Sequence, residues 1–310
     1  MPLAAQAVKD EAARLGFQAA GIADLQPSAH RAAFDSWLAR GYAGTMRYLH
    51  RQAKKRKEPK RIDQEATRVV VVLDNYFTRD LPADLEPPRI AKYARGKDYH
   101  RVTLERLNLL ADFLRQNGAT VARTYTDTGP VPERELAQRA GLGWIGKNTM
   151  LIQPEHGSFC FIGCVFTDLP LAIDPPFELD RCGTCTRCLD ACPTGAFVEP
   201  RLLDATRCIA YLTIEHRAPI PESLVPALDG WAFGCDVCND VCPWNVRFAV
   251  EAVPEAQAHH PLRGASSDHF DGMDEAEFAA RFGETPFSRP GLEGMRRNMH
   301  AAFASRSGAE

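Results

Sequence analysis

Eight of the chain's ten cysteines fall between Cys182 and Cys242, seven of them in two ordered runs. Cys182-Gly-Thr-Cys185-Thr-Arg-Cys188-Leu-Asp-Ala-Cys192-Pro193 has the spacing of a bacterial ferredoxin run. In such a run three closely spaced thiolates wrap one corner of a four-iron cubane and the fourth turns away to a second cluster. Cys235-Asp-Val-Cys238-Asn-Asp-Val-Cys242-Pro243 is a shortened partner that lacks one ligand. Two such clusters need eight thiolates; the runs supply seven, and Cys208 sits between them on a predicted helix. The spacing therefore predicts crossed sets, with Cys182, Cys185, Cys188 and Cys242 on one cluster and Cys192, Cys208, Cys235 and Cys238 on the other. Structural zinc also uses CxxC pairs, but it seldom needs a third thiolate two residues on or two Cys-Pro exits. Cys160 and Cys164, four apart in an apolar strand-like segment, read as small buried hydrophobes.

The rest of the composition sets the surroundings. The 310 residues suit one large or two modest domains, and 45% hydrophobic against 25% charged residues is the balance of a packed protein. The longest aliphatic run, Val69 to Leu73, is far short of a membrane span. Lys9, Asp10, Glu11 and Arg14 among alanines predict an amphipathic first helix with no signal-peptide core, so a cytosolic chain is expected. Thiols clustered in a cytosolic chain belong to metals or redox work. A net charge of −3 does not mark the whole chain as a nucleic-acid binder, yet Arg51 to Arg61 gathers seven basic residues against one glutamate. That run suits phosphate neutralisation or a solvated helix face.

Alternating signals predict an α+β first domain over residues 1–172. Helices are expected at Leu3 to Leu15, around Phe34 to Leu38, over Arg101 to Gln116, and from Pro132 to Gly141. Strands are expected at Phe17 to Ile22, Arg68 to Leu73, Thr120 to Ala122 and Phe159 to Phe166. The run Arg68 to Leu73 suits a strand buried on both faces. A Pro-rich connector, Asp174 to Asp180, leads to a cluster domain over 173–248 with a helical stretch from Ala205 to His216, and loops and helices follow over 249–310. The His259-His260 pair reads as loop.

Linked clusters conduct single electrons and must end at a reacting centre. No nicotinamide or flavin fingerprint supplies one: Gly141-Leu-Gly143-Trp-Ile-Gly146 matches G-x-G-x-x-G, but its glycines follow a predicted helix instead of opening one. Asp98-Tyr-His100-Arg-Val-Thr103 half-matches the Asp-x-His-x-x-Gly corrinoid-ligand pattern, with Thr where Gly belongs, and reads as chance.

Taken together, Tyr93 to His100, Asp127-Thr-Gly-Pro-Val-Pro-Glu133-Arg134, Gly141 to Thr149, the two cysteine runs, Leu203 to His216, Gly234 to Asn245 and Thr285 to Asn298 resemble the epoxyqueuosine reductase family over nearly the whole chain. Cys160 and Cys164 are not motif positions. The resemblance implies a nitroreductase-like cobalamin-binding domain, a ferredoxin-like domain with two 4Fe-4S clusters and a short helical tail. It implies a tRNA substrate carrying epoxyqueuosine in its anticodon arm, an external low-potential electron donor and no membrane. It also makes Asp127 the expected proton donor, with a pKa raised by burial against the corrin face and Trp144. Arg56, Lys147, Asn148 and His156 become the expected cobalamin contacts, the glycines before Lys147 letting the backbone approach a flat cofactor. A corrinoid reductive dehalogenase and a simple electron-transfer iron–sulfur protein are the competing readings.

Overall fold

The computed structural model describes residues 3–252 and 261–307. The aliphatic run Val69–Leu73 has no polar face to offer solvent, and it forms the fully buried middle of the second strand of a four-stranded sheet. The strands are β1 (Ala19–Asp24), β2 (Arg68–Asn75), β3 (Ala122–Thr126) and β4 (Cys160–Thr167). Their order is β1-β2-β4-β3, every neighbouring pair antiparallel, with Val71 opposite both Gly21 and Cys164.

Side chains alternate across β2, so each face takes its own helices. Val70 and Val72, with Ile22 and Val165, pack under α1 (Ala5–Arg14) and α2 (Tyr99–Gln116) through Val8, Leu107, Leu110 and Leu114. Val69, Val71 and Leu73, with Cys164 and Phe166, pack against Leu136 and Ala137 of α3 (Glu133–Arg139). Cys164 is thus the buried hydrophobe expected. The strand expected at Thr120 begins two residues later: the Asp168 carboxylate accepts the Thr120 and Val121 N–H groups at 3.1 and 3.0 Å and holds them out of the ladder.

The cysteine runs fold as loops with single-turn helices, Arg187–Asp190 and Val237–Asp240. Cys208 does not lie on a helix as the sequence suggested. It is the extended residue between a 3₁₀ turn, Ala205–Arg207, and the helix Ile209–Ile214, which leaves its thiol free to turn away. Helices Glu275–Phe282 and Gly291–Ser307 follow, as expected. Their Phe278, Met295 and Met299 share a core with Ile90, Ala94 and Phe233, beneath a parallel pairing of Arg89–Ile90 with Trp231–Phe233. His259 and His260 lie outside the described residues. Among the described residues no helix is long and apolar enough to cross a membrane.

Candidate active site and cluster-binding loops

The loop leaving β3 and the first turn of α3 form one wall of a cavity of about 540 Å³, lined also by Arg56, Tyr99, Cys160 and Phe161. Asp127 opens that loop with φ 55°, a left-handed backbone that costs a non-glycine residue roughly 1–2 kcal/mol. Contacts from three neighbours offset the cost. Its N–H donates to Glu133 Oε1 at 2.6 Å, the Tyr99 hydroxyl donates to its Oδ2 at 2.5 Å, and His100 Nε2 lies 3.3 Å from the same oxygen. The other ring nitrogen of His100 lies 2.6 Å from Asp98 Oδ1. Tyr99 is fixed in turn between His100 and Phe161, with ring centroids 4.0 Å away on each side.

The electrostatics reverse one expectation. Enclosure alone would raise the Asp127 carboxyl, but the hydrogen bonds from His100 and Tyr99 outweigh it and hold its pKa below the ordinary value. The side chain remains 62% exposed because it faces the open cavity. His100 is pushed the other way: burial opposes its charge, but Asp127 and Asp98 prevail and bring its pKa to about 9. Glu133 carries the raised carboxyl pKa, about 8, through burial in the wall and the neighbouring Asp127 charge. At neutral pH His100 and Glu133 both hold a proton beside the ionised Asp127, and of the two it is His100 whose ring reaches the Asp127 carboxylate. Trp144 is not part of this wall; it stacks on Phe177 at 5.6 Å and meets Trp244 edge-on at 4.9 Å.

The expected cobalamin contacts separate. Arg56 lines the cavity, its guanidinium donating to the carbonyls of Val131 at 3.0 Å and Gly129 at 3.1 Å, while its buried Nε has no partner among the described residues. Lys147 and Asn148 point elsewhere. Lys147 Nζ donates to the carbonyls of Gly183 at 2.7 Å and Cys185 at 2.9 Å, and Asn148 Nδ2 lies 3.3 Å from the Cys238 carbonyl. Both side chains brace cysteine loops, because the hairpin that carries them lies against those loops. The glycines before Lys147 admit protein backbone: a Cβ on Gly143 would stand 2.2 Å from the Ile152 carbonyl oxygen. His156 is half-buried outside the cavity wall, and its buried Nδ1 lacks a partner among the described residues.

The seven run cysteines and Cys208 fall into two groups of neighbours. Burial raises the Cys188 and Cys242 thiols, and each is raised further by neighbours from the set Cys182, Cys185, Cys188 and Cys242. Burial likewise raises Cys208 and Cys235, and there the neighbouring thiols come from the set Cys192, Cys208, Cys235 and Cys238. Cys238 belongs with the second group and also feels Cys188, so the groups adjoin. Backbone N–H groups of Trp244 and Asn245 favour a thiolate at Cys242, those of Tyr211 and Ala210 do so at Cys208, and Ala196 N–H lies 3.4 Å from Cys192 Sγ. Such N–H···S donors suit iron–sulfur ligation.

Two family profiles match the chain: "4Fe-4S double cluster binding domain" over residues 181–245, and "Epoxyqueuosine reductase QueG" over residues 56–128. An epoxyqueuosine reductase of Pseudomonas aeruginosa is 40% identical over 302 residues, covering 95% of this chain and 83% of the relative. One of Cyclobacterium marinum is 39% identical, covering 95% of each. The chain belongs to the epoxyqueuosine reductase family. That membership disfavours the dehalogenase and carrier readings. The fold agrees with the family's. A crystal structure of epoxyqueuosine reductase with an epoxyqueuosine-modified tRNA-Tyr stem loop superposes with a TM-score of 0.85 at 30% identity, covering 98% of this chain and 82% of that one. A Bacillus subtilis epoxyqueuosine reductase, with its catalytic loop swung out of the active site, gives 0.86 at 30% identity.

Within this epoxyqueuosine reductase, sequence reasoning missed Tyr99, His100 and Glu133 as functional groups. The available signal was the Asp98-Tyr-His100 triplet, which in sequence reads as a chance half-match to a corrinoid-ligand pattern. Asp98 caps α2, accepting the His100 N–H at 3.0 Å, and the cap presents Tyr99 and His100 to Asp127.

Proposed function

We propose that this epoxyqueuosine reductase converts epoxyqueuosine to queuosine at the wobble position of tRNA, in the cavity beside Asp127. The convergence of Tyr99 and His100 on one Asp127 oxygen carries this reading. Turning an epoxide into an alkene takes two electrons and two protons and releases water, so the site must deliver protons to a departing oxygen. Asp127 is the group that meets that oxygen, His100 refills it through the 3.3 Å contact, and Asp98 keeps the imidazole oriented. Glu133 holds the Asp127 backbone in its left-handed turn.

A cobalamin suits the same cavity. Aromatic side chains, Tyr99 and Phe161 among them, line it beside polar groups, and Arg56 Nε there has no partner among the described residues, which suits a large cofactor with both apolar and hydrogen-bonding surface. Bound there, cobalamin supplies low-potential cobalt chemistry that links one-electron carriers to a two-electron reduction. Two 4Fe-4S clusters are read onto the crossed sets, Cys182, Cys185, Cys188 and Cys242 for one and Cys192, Cys208, Cys235 and Cys238 for the other. We read residues 1–172 as the nitroreductase-like cobalamin domain, 173–248 as the ferredoxin-like domain and 249–310 as the tail, whose helices Glu275–Phe282 and Gly291–Ser307 pack with Ile90 and Phe233. The relative solved with a modified stem loop supports a tRNA substrate, and a tRNA substrate favours a cytoplasmic setting. An external low-potential donor completes the electron balance.

The test is anaerobic incubation of the reduced protein with cobalamin and epoxyqueuosine-bearing tRNA, with nucleosides read by mass. Queuosine should form, and Asp127→Ala should keep both cofactors while losing product. No queuosine from a fully loaded wild-type protein would refute the assignment.

A further inference from the structure

The two cysteine groups are unequally served by the rest of the chain. Trp144 Nε1 donates to Cys182 Sγ at 3.4 Å, from an indole only 2% exposed and clamped by Phe177 and Trp244. Three residues on, Lys147 brings its ammonium to the carbonyls of Gly183 and Cys185 in the same CxxC turn. A neutral N–H donor and a cation thus converge on one turn from a single hairpin, Trp144–Ile145 with Leu151–Ile152. The matching turn of the other group holds a buried carboxylate and its counter-ion: Asp236, 2% exposed, lies between Cys235 and Cys238, accepts the Lys92 N–H at 2.7 Å and stands 4.0 Å from the Lys92 ammonium, which also pairs with Asp240 at 2.8 Å, so the cation there is spent on carboxylates and not on the turn's carbonyls.

The groups also differ in place. Gly183 and Thr184 of the first run are exposed. Behind Cys238, Asn148 Nδ2 reaches Asn239 Oδ1, which accepts from Ser158 Oγ, and Ser158 lines the cavity. The Cys182 turn thus borders exposed backbone, while the Cys238 turn is joined to the cavity wall through Asn239 and Ser158.

Reduction of a cluster adds one negative charge, which hydrogen bonds to its sulfurs and nearby cations favour. We propose that Trp144 and Lys147 raise the reduction potential of the cluster held by Cys182, Cys185, Cys188 and Cys242, making it the site where an external one-electron carrier delivers each electron. The inference rests on the ligand sets assigned under the proposed function. The step it adds is one electron onto the Cys182 cluster, with no bond made or broken.

The test is a redox titration of the anaerobic, cluster-loaded protein followed by electron paramagnetic resonance, with dithionite and mediators as reductant. Iron and sulfide analysis of wild-type protein examines the ligand reading by itself, since a chain without two clusters would overturn that reading first. Given two clusters, Trp144→Phe and Lys147→Met should each move one of the two one-electron waves to more negative potential. We expect about a tenfold change in the oxidised-to-reduced ratio at fixed poise, equivalent to about 59 mV. Unmoved waves in variants with full iron, or equal movement of both waves, would overturn the proposal. Should Trp144→Phe lose iron, Lys147→Met decides, because its side chain touches only carbonyls at the cluster turn.

Discussion

The Tyr99 hydroxyl donates to Asp127 Oδ2 at 2.5 Å while its ring lies 3° from parallel with that of Phe161. A phenol held so firmly can give its hydrogen bond to one oxygen, and His100 reaches the same atom. The carboxylate therefore holds its charge among donors, and the dissociable proton is stored next to it on the imidazole. An acid built this way needs both members.

Replacement of Asp127 by Asn keeps size and hydrogen bonding but removes the proton carrier. Queuosine formation should fall by about 10²–10⁴-fold, the range typical of a lost general acid, while iron content and cobalamin binding stay at wild-type levels. Single-turnover nucleoside analysis reads the first quantity and absorbance the second. Wild-type turnover in this variant would remove Asp127 from the role.

His100 makes stability depend on pH with a definite sign. Its folded pKa, about 9, exceeds its ordinary 6.5, so its contribution is complete below about pH 6.5 and is lost as pH rises through about 9. Asp127 has a lowered pKa, so its contribution is present above the ordinary carboxylate range and is lost on acidification. Thermal melts of wild type and His100→Gln should converge above pH 9 and separate below pH 7, the variant melting lower. Parallel curves across that range would contradict the pairing.

Glu133 acts in the opposite sense to an ordinary carboxylate. Because its pKa is raised from 4.5 to about 8, its carboxyl favours the folded state most below pH 4.5, and that advantage is lost as pH climbs through about 8. Glu133→Gln keeps an oxygen for the Asp127 N–H and removes the titration. The variant should retain most activity and gain stability relative to wild type above pH 8. Glu133→Ala, which frees the loop, should lose activity by about tenfold or more, as expected when a reacting group is slightly misplaced.

Much of this was legible before any coordinates. The cysteine spacing announces two clusters because thiolate geometry around a cubane is fixed by short, local turns. Val69–Leu73 announces a doubly covered strand because five aliphatic residues have no other comfortable place. Asp127 was legible only through family resemblance. What stayed hidden was non-local. Tyr99 and His100 stand 28 and 27 residues from Asp127 in sequence and meet it across the end of the sheet. Lys147 and Asn148 follow a glycine-rich stretch that suits either a cofactor or a close-packed loop, and only the position of the cysteine runs decides between them. The Asp127 pKa was misjudged because burial was counted without the donors that burial brings near.

The junction between the cavity wall and the cluster loops turns on Gly157 and Asn245. Asn245 Oδ1 accepts the Ser158 N–H at 2.6 Å, and its Nδ2 donates to Ser158 Oγ and to the Asn239 carbonyl, each at 2.8 Å. All three residues are buried, so truncating Asn245 strands donors and acceptors at ~1–3 kcal/mol apiece. A Cβ on Gly157 would stand 2.0 Å from Asn245 Oδ1, on a backbone with φ +78°. Asn245→Ala and Gly157→Ala should each lower the melting temperature by several degrees and speed iron loss to a chelator. They share one contact, so their effects should not add. In the Asn245→Ala background the carboxamide clash is gone, and the remaining cost of Gly157→Ala should shrink towards that of the left-handed backbone, about 1 kcal/mol, plus the 3.2 Å approach to the Cα of residue 245. A denaturant double-mutant cycle measures that difference, and strict additivity would show that the two residues do not meet as described.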